Sequence, residues 1–149
     1  MTHLMQSLAL SAALALSASP AVLAQETHGA SVDIREWTVP YEESRPRDPY
    51  VAPDGTIWFV GQRAHYVATL DPETGEFTRT DLVDGAGPHT VIADTQGAWY
   101  AGNRVGHIGF VDPETREIEI IEIPGDGPRD VHTMDFDSAG NLWFTLQGA

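Results

Sequence analysis

The sequence repeats itself about every 42 residues, and this repeat limits the available folds more than any other feature. HTVIADTQGAW at residues 89–99 returns as HTMDFDSAGNLW at residues 132–143, and LDPETGEF at 70–77 returns as VDPETREI at 111–118. Each unit carries a tryptophan at the same place, namely Trp58, Trp99 and Trp143. Such self-similarity predicts structural units that stack beside their own copies.

Within each unit the local signals are those of strands and turns. Runs such as TIWFVG, YVATL and IEIIEI predict short strands, and DPETG has proline and glycine where a tight turn needs them. About three to four strands per unit at this spacing are typical of a β-propeller blade. We therefore predict an all-β fold, a β-propeller whose inner strands start near residues 47, 89 and 132 and whose tryptophans pack between neighbouring blades.

The segment IREWTVP at residues 34–40 resembles IEIIEIP at 118–124, the outermost strand of the second unit. It is predicted to be an orphan N-terminal outer strand, which would complete the last blade of a ring. Residues 34–149 would then hold about two and a half blades, whereas propellers have about four to eight. We expect an incomplete β-propeller, a fragment of a longer chain, with residues 25–33 as a short linker. The alternative is a ring assembled from several copies.

The N-terminal segment has the features of an export signal. Residues 1–24 contain no Asp, Glu, Lys or Arg, and SLALSAALALSA at 7–18 has the length of a signal-peptide core. This run is too short to span a membrane. Val22 and Ala24 stand at the two positions that a signal peptidase reads. We predict a signal peptide over residues 1–24, cleavage before Gln25, and a periplasmic or secreted protein.

The charge of the chain excludes two classes of partner. Eight basic residues, all arginine, face 22 acidic ones, and the formal net charge is −14. A surface of this sign repels nucleic acid and anionic lipid, so we expect neither as a partner once the signal is removed. The chain has no cysteine, so its stability must come from packing without disulfides.

Four stretches resemble the virginiamycin B lyase (streptogramin lyase) family of seven-bladed β-propellers: RPRDPYVAPDGTIWFVGQ, GPHTVIAD, WYAGNRVGHIGFVDPETREI and NLWFTLQGA. The resemblance covers residues 34–149. It implies a magnesium-assisted elimination that opens the cyclic ester of streptogramin B antibiotics, with glutamates as metal ligands and a histidine as the base.

In that family the catalytic residues lie in late blades. The glutamate that can follow the tryptophan strand is replaced here by Gly61, Gly102 and Leu146. The resemblance therefore assigns no metal ligand and no catalytic residue to this chain, and it implies that this part of the protein is inactive by itself. Magnesium is expected only for the full-length protein.

The candidate binding residues lie where inner strands begin, because those ends surround the central channel of a propeller. Arg47, His89 and His132 each precede a turn glycine by eight residues, and a neutral imidazole there can act as a base or bind substrate. Arg129 and Asp130 repeat the pair formed by Arg47 and Asp48, and arginine can bind carbonyl or carboxylate oxygens. A structural reading stays open for both groups, as hydrogen bonds or salt bridges between blades.

Two loops match each other, GQRAHY at 61–66 and GNRVGHI at 102–108. This match pairs Arg63 with Arg104 and His65 with His107. Their glycines would allow close approach of a ligand, whereas polar hairpin tips would have the same composition.

Two functions from different classes follow from these features. The first is a C–O lyase of the virginiamycin B lyase type acting on a small-molecule or peptide ligand at the channel mouth. The second is a noncatalytic propeller that binds a peptide, sugar or protein there, because fold alone does not dictate chemistry. A calcium-dependent lactonase-like propeller is a third hypothesis, and it should place acidic and amide side chains on the axis, where Arg and His stand in this chain.

Overall fold

The computed structural model describes residues 32–127 and 129–148. The chain divides into two compact units, residues 1–35 and 36–149. The predicted signal peptide and its cleavage site lie outside the described residues, and so does nearly all of the predicted linker. Residues 32–35, the described part of the first unit, form no strand or helix. The described residues also contain no helix long and apolar enough to cross a membrane.

The described part of the second unit contains ten strands, no helix and three antiparallel sheets. The first sheet consists of β1 (Pro46–Val51), β2 (Ile57–Gly61), β3 (Tyr66–Leu70) and β4 (Phe77–Asp81). The second consists of β5 (Val91–Ala93), β6 (Ala98–Gly102), β7 (His107–Val111) and β8 (Ile118–Glu122). The third is a pair, β9 (Val131–Phe136) and β10 (Leu142–Leu146).

In each four-stranded sheet the strands are neighbours in sequence order, which is the arrangement of a propeller blade. The predicted all-β fold is confirmed, as two full sheets and the inner half of a third. The inner strands begin at Pro46, Val91 and Val131, where the sequence placed them near residues 47, 89 and 132.

The turns between the outer strands are held by aspartate side chains. Oδ1 of Asp71 accepts hydrogen bonds from the backbone N–H groups of Glu73 and Thr74. Asp112 does the same for Glu114 and Thr115 in the second sheet. These bonds to the ionised form lower the pKa of both carboxyls, first through the backbone donors. The two DPET stretches are thus turn-forming elements.

A tryptophan packs between each sheet and the next one. Trp58 is 4% exposed and lies in a core cluster with residues of the second sheet such as Ala98 and Tyr100. Trp99 packs against the cluster shared by the second and third sheets. Trp143 is 66% exposed, because no further sheet within the described residues covers its face. The tryptophan positions therefore lie between sheets wherever a following sheet is present.

The N-terminal segment differs from its prediction as a strand. Residues 34–40 form no strand, and no strand of the described sheets pairs with them. From position 37 onward the segment still packs on the face of the first sheet opposite to the second, through Trp37, Val39 and Tyr41. The hydroxyl of Tyr66 donates to Ser44 Oγ (2.9 Å), which donates to the carbonyl of Tyr41 (2.8 Å).

Candidate functional site

The candidate site lies at the ends of the sheets where the inner strands begin. His89 is placed just before β5 by two backbone hydrogen bonds to β6, from His89 N to Ala101 O (3.0 Å) and from Ala101 N to Thr90 O (2.9 Å). In β1, the pairing with β2 shifts between Arg47 and Tyr50, as in a β-bulge. Bulges redirect side chains, and this one lies at Asp48.

His89 and His132, from successive sheets, lie against each other. Their ring centroids are 3.5 Å apart and the ring planes are inclined by 36°. His89 is buried at 9% exposure, whereas His132 is half-buried. Two residues that are 43 positions apart in the sequence (89 to 132) therefore form one aromatic surface.

Asp48 joins this pair from the first sheet. Its Oδ2 accepts a hydrogen bond from Thr90 Oγ1 at 2.9 Å and lies 3.5 Å from His89 Nδ1. Thr90 Oγ1 is in turn 3.2 Å from His89 Nδ1. Asp48 has a φ of +47°, in the left-handed region that Asp tolerates better than most residues.

Arg47 completes the cluster on the other side of Asp48. Its Nη1 donates to Oε1 of buried Gln62 at 3.1 Å, and its Nε lies 3.7 Å from Asp48 Oδ1. That Nε is buried and makes no hydrogen bond within the described residues. The carboxylate of Asp48 thus stands between a guanidinium on one side and the Thr90–His89 pair on the other.

The surroundings of His89 favour its neutral form. Burial lowers the pKa of His89 to about 4, helped by the nearby charges of Arg47 and His132 and opposed by Asp48. At pH 7 the ring is therefore uncharged, and one of its nitrogens is an acceptor.

The side-chain hydrogen bonds of Arg129 and Asp130 go to residues outside this cluster. Arg129 Nη2 donates to the carbonyl of Gly125 at 2.7 Å, and Asp130 Oδ1 accepts from the N–H of Gly148 at 3.0 Å. The carbonyl of Asp130 accepts from Gln147 N, as that of Arg45 does from Gln62 N. By this register Asp130 corresponds to Arg45, so the two Arg–Asp pairs are not equivalent positions.

In the structure, the loops at 61–66 and 102–108 align with an offset of one residue from the alignment predicted by their sequences. Gly61 pairs with Tyr66 and Gly102 pairs with His107, so His107 corresponds to Tyr66 and His65 to Gly106. His107 is buried in β7 with Nε2 3.0 Å from Tyr100 Oη. His65 is in the loop, where its Nδ1 accepts from Gly87 N at 3.0 Å. The pairing of His65 with His107 is therefore wrong.

A separate cavity of about 660 Å³ lies between the first two sheets at their opposite end, among the turns. Trp58 and Arg116 contribute to its wall, together with acidic turn residues such as Asp71, Glu76 and Glu114. It contains none of the candidate site residues. Size alone would favour this cavity, but the convergence of His, Asp and Arg side chains favours the inner-strand end.

The described residues do not fit the magnesium that the resemblance implies. Among them, no group of three or more His, Cys, Asp or Glu side chains is placed to hold a metal ion. Asp48 is the only carboxylate in the contacts of the described cluster, and its oxygens face Thr90 and Arg47. The cofactor therefore remains a prediction for the full-length protein.

Two members of the cluster were missed by sequence reasoning, Thr90 and Gln62. A signal for Thr90 was present, because both histidines of the repeat are followed by threonine. Gln62 had no such signal, since its role depends on its burial beside β1.

Two full four-stranded meanders followed by a half-sheet, with polar residues at their inner-strand ends, define this chain as part of a β-propeller. Over 78% of its length the chain is similar to a catalytically inactive histidine-to-alanine variant of virginiamycin B lyase from Staphylococcus aureus with quinupristin, at 24% identity, a TM-score of 0.68 and 39% coverage of the lyase. It is similar to a streptogramin B lyase structure at 22% identity and a TM-score of 0.68, with 76% of this chain and 38% of that one covered.

A hydrazine synthase from Kuenenia stuttgartiensis is also similar, at 18% identity and a TM-score of 0.60, with 78% of this chain and 33% of that one covered. No protein-family model and no curated protein matches the chain. The chain thus spans about two fifths of the lyases, and at these identities the likeness shows the shared fold alone.

Proposed function

We propose that this chain is part of an exported β-propeller C–O lyase that opens a cyclic ester by elimination, with its ligand at the inner-strand ends. Support comes from the fold likeness to virginiamycin B lyase and from the signal-like segment at residues 1–24. The observation that carries the proposal is the cluster of a neutral histidine, a second histidine and an Asp–Arg pair.

Within this cluster the roles follow from chemistry. His89 is uncharged at pH 7, so it can accept a hydrogen bond from a ligand, although its lowered pKa makes it a weak base. The guanidinium of Arg47 can donate to an ester or amide carbonyl. His132 is the more exposed face of the stacked pair and offers a surface for an apolar or peptide group. No group of three or more His, Cys, Asp or Glu side chains in the described residues is placed to hold a metal ion, so no catalytic step is assigned to magnesium.

A noncatalytic binding propeller is the second candidate, and one observation favours it. His89 and His132 both have Nδ1 beside the hydroxyl of the following threonine, at 3.2 and 3.0 Å. A contact that recurs in successive sheets is consistent with a structural role that supports binding without chemistry.

Mass spectrometry of quinupristin incubated with the full-length protein separates these functions. Elimination gives a ring-opened isomer of unchanged mass with a new double bond, whereas hydrolysis adds the mass of one water. We expect the isomer, formed more slowly by His89→Ala and His132→Ala and at the parent rate by His65→Ala, the matched control outside the cluster. Intact antibiotic after long incubation would reject the lyase proposal for this substrate, and co-elution of that intact antibiotic with the protein would support the binding propeller.

A further inference from the structure

We propose that Asp48, acting through Thr90, fixes His89 as the Nδ1–H tautomer and thereby makes Nε2 the acceptor for an N–H or O–H group of a neutral ligand. This inference deepens the proposed function, since it assigns roles within the same site. Asp48 and Thr90 are positioning residues here, and His89 is the residue that meets the ligand.

The direction of the hydrogen bonds carries the assignment. An ionised carboxylate can only accept, and a threonine hydroxyl has one proton to donate. Thr90 Oγ1 lies 2.9 Å from Asp48 Oδ2, so that proton points to Asp48. The same oxygen lies 3.2 Å from His89 Nδ1 and must therefore accept from it. Nδ1 then carries the ring proton, and Nε2 is left with a lone pair.

A second contact supports the same tautomer. Asp48 Oδ2 is 3.5 Å from His89 Nδ1, so the carboxylate also attracts a proton on that nitrogen directly. Both contacts between His89 and neighbouring polar side chains in the described residues use Nδ1. A hydrogen bond from one ring nitrogen of a histidine to a neighbouring side chain determines that the other nitrogen is the acceptor.

His132 provides an internal comparison. Its Nδ1 is 3.0 Å from Thr133 Oγ1, which repeats the contact of His89 with Thr90. Thr90 Oγ1 donates a hydrogen bond to the carboxylate of Asp48. Among the described residues, Thr133 Oγ1 makes no such bond to a carboxylate. The hydroxyl of Thr133 is free to donate or to accept, so the tautomer of His132 is not fixed by this route.

The backbone at Asp48 is shaped for this contact. Asp48 adopts a φ of +47° within the irregular pairing between Arg47 and Tyr50. A non-glycine residue in this region is conformationally strained. The bulge directs Oδ2 to the next sheet while Oδ1 faces Arg47 at 3.7 Å. The strained backbone at Asp48 thus holds its carboxylate between the first and second sheets.

The chemistry of the ligand follows from the acceptor. Nε2 lies on a ring that packs against His132 and has the opposite charges of Arg47 and Asp48 nearby. An uncharged Nε2 can accept a hydrogen bond from an amide N–H or a hydroxyl of a neutral molecule. Peptide-like and hydroxylated ligands therefore match this acceptor.

Nitrogen NMR of the full chain tests the tautomer directly, without any ligand. At pH 7 we expect His89 Nδ1 in the protonated range and Nε2 in the unprotonated range. Asp48→Ala should move Nε2 toward the protonated range, because Thr90 is then free to donate to Nδ1. Thr90→Ser keeps the hydroxyl and should leave both shifts unchanged. The tautomer of His132 serves as the reference and should not follow Asp48→Ala.

A wild-type His89 that carries its proton on Nε2, or one that becomes cationic near pH 7, would overturn the inference. So would an Asp48→Ala variant with a native backbone spectrum and an unchanged His89 tautomer. If that variant does not fold, the His89 ring nitrogen shifts of the wild-type protein still show which nitrogen carries the proton. Failure of the antibiotic assay leaves this result untouched, so the two proposals fail separately.

Discussion

The guanidinium of Arg116 lies over the indole ring of Trp58 in the preceding sheet, with its central carbon 5.1 Å from the ring centroid, and Nη2 donates to Thr69 Oγ1 at 2.9 Å. Arg116 holds a φ of +63°, at the position where the first sheet has Gly75 at +77°. A left-handed arginine is therefore kept in place by contacts across two sheets.

Two substitutions of Arg116 distinguish the effect of its contacts with Trp58 and Thr69 from the effect of its left-handed backbone. Arg116→Ala and Arg116→Gly both lose the cation–π contact and the hydrogen bond, but only glycine relieves the left-handed backbone. We expect Arg116→Gly to be more stable than Arg116→Ala by about 1 kcal/mol, measured by urea unfolding. Equal stabilities would mean that the backbone at this turn is not strained.

The two end tryptophans should respond differently to truncation. Trp58→Ala removes a buried ring and should lower the free energy of unfolding by about 3 to 5 kcal/mol. Trp143→Ala removes an exposed ring and its 2.9 Å hydrogen bond to Asp137, at a cost of about 1 kcal/mol or less. Similar losses for both variants would contradict the assignment of Trp58 to the interface between sheets.

Gly109 is required because the ring of Tyr100 lies on it. A Cβ at position 109 would come within 2.0 Å of that ring, whereas one at Gly127 would meet nothing within 4 Å. Gly109→Ala should therefore cost on the order of 3 kcal/mol, and Gly127→Ala well under 1 kcal/mol. Thermal unfolding of the two variants compares them, and an unchanged midpoint for Gly109→Ala would contradict the packing described.

Stability should fall as the pH is lowered from 7 to 5. His89 has a pKa of about 4 when folded against 6.5 in the reference state, so the unfolded chain binds the proton first. The free energy of unfolding should drop by about 2 kcal/mol over this range through His89. The lowered pKa of buried His107 acts in the same direction.

His89→Gln is the matched variant for this effect. Without the titrating ring, the drop between pH 7 and pH 5 should shrink by about 2 kcal/mol. Parallel curves for the parent and the variant would show that His89 is not protected from protonation in the folded state.

The strands were predictable, but several contacts between sheets were not. Alternating runs and DPET turns mark the strands in the sequence, because both depend on neighbouring residues. The bond from Thr90 to Asp48 spans 42 positions (48 to 90) and depends on how one sheet packs on the next. The sequence also did not show the exact positions of the two loop histidines. His65 is the last residue of its loop, whereas His107 is the first residue of a strand. A one-residue offset changes a loop histidine into a buried one.

Titration of the isotope-labelled protein with quinupristin, followed through its histidine ring resonances, tests most directly whether the inner-strand ends form the ligand site. The resonances of His89 and His132 should shift together, while those of His65 and His107 stay in place. Shifts confined to the Trp58 indole and the Arg116 side chain would place the ligand in the cavity among the turns, and they would contradict the site proposed at the inner-strand ends.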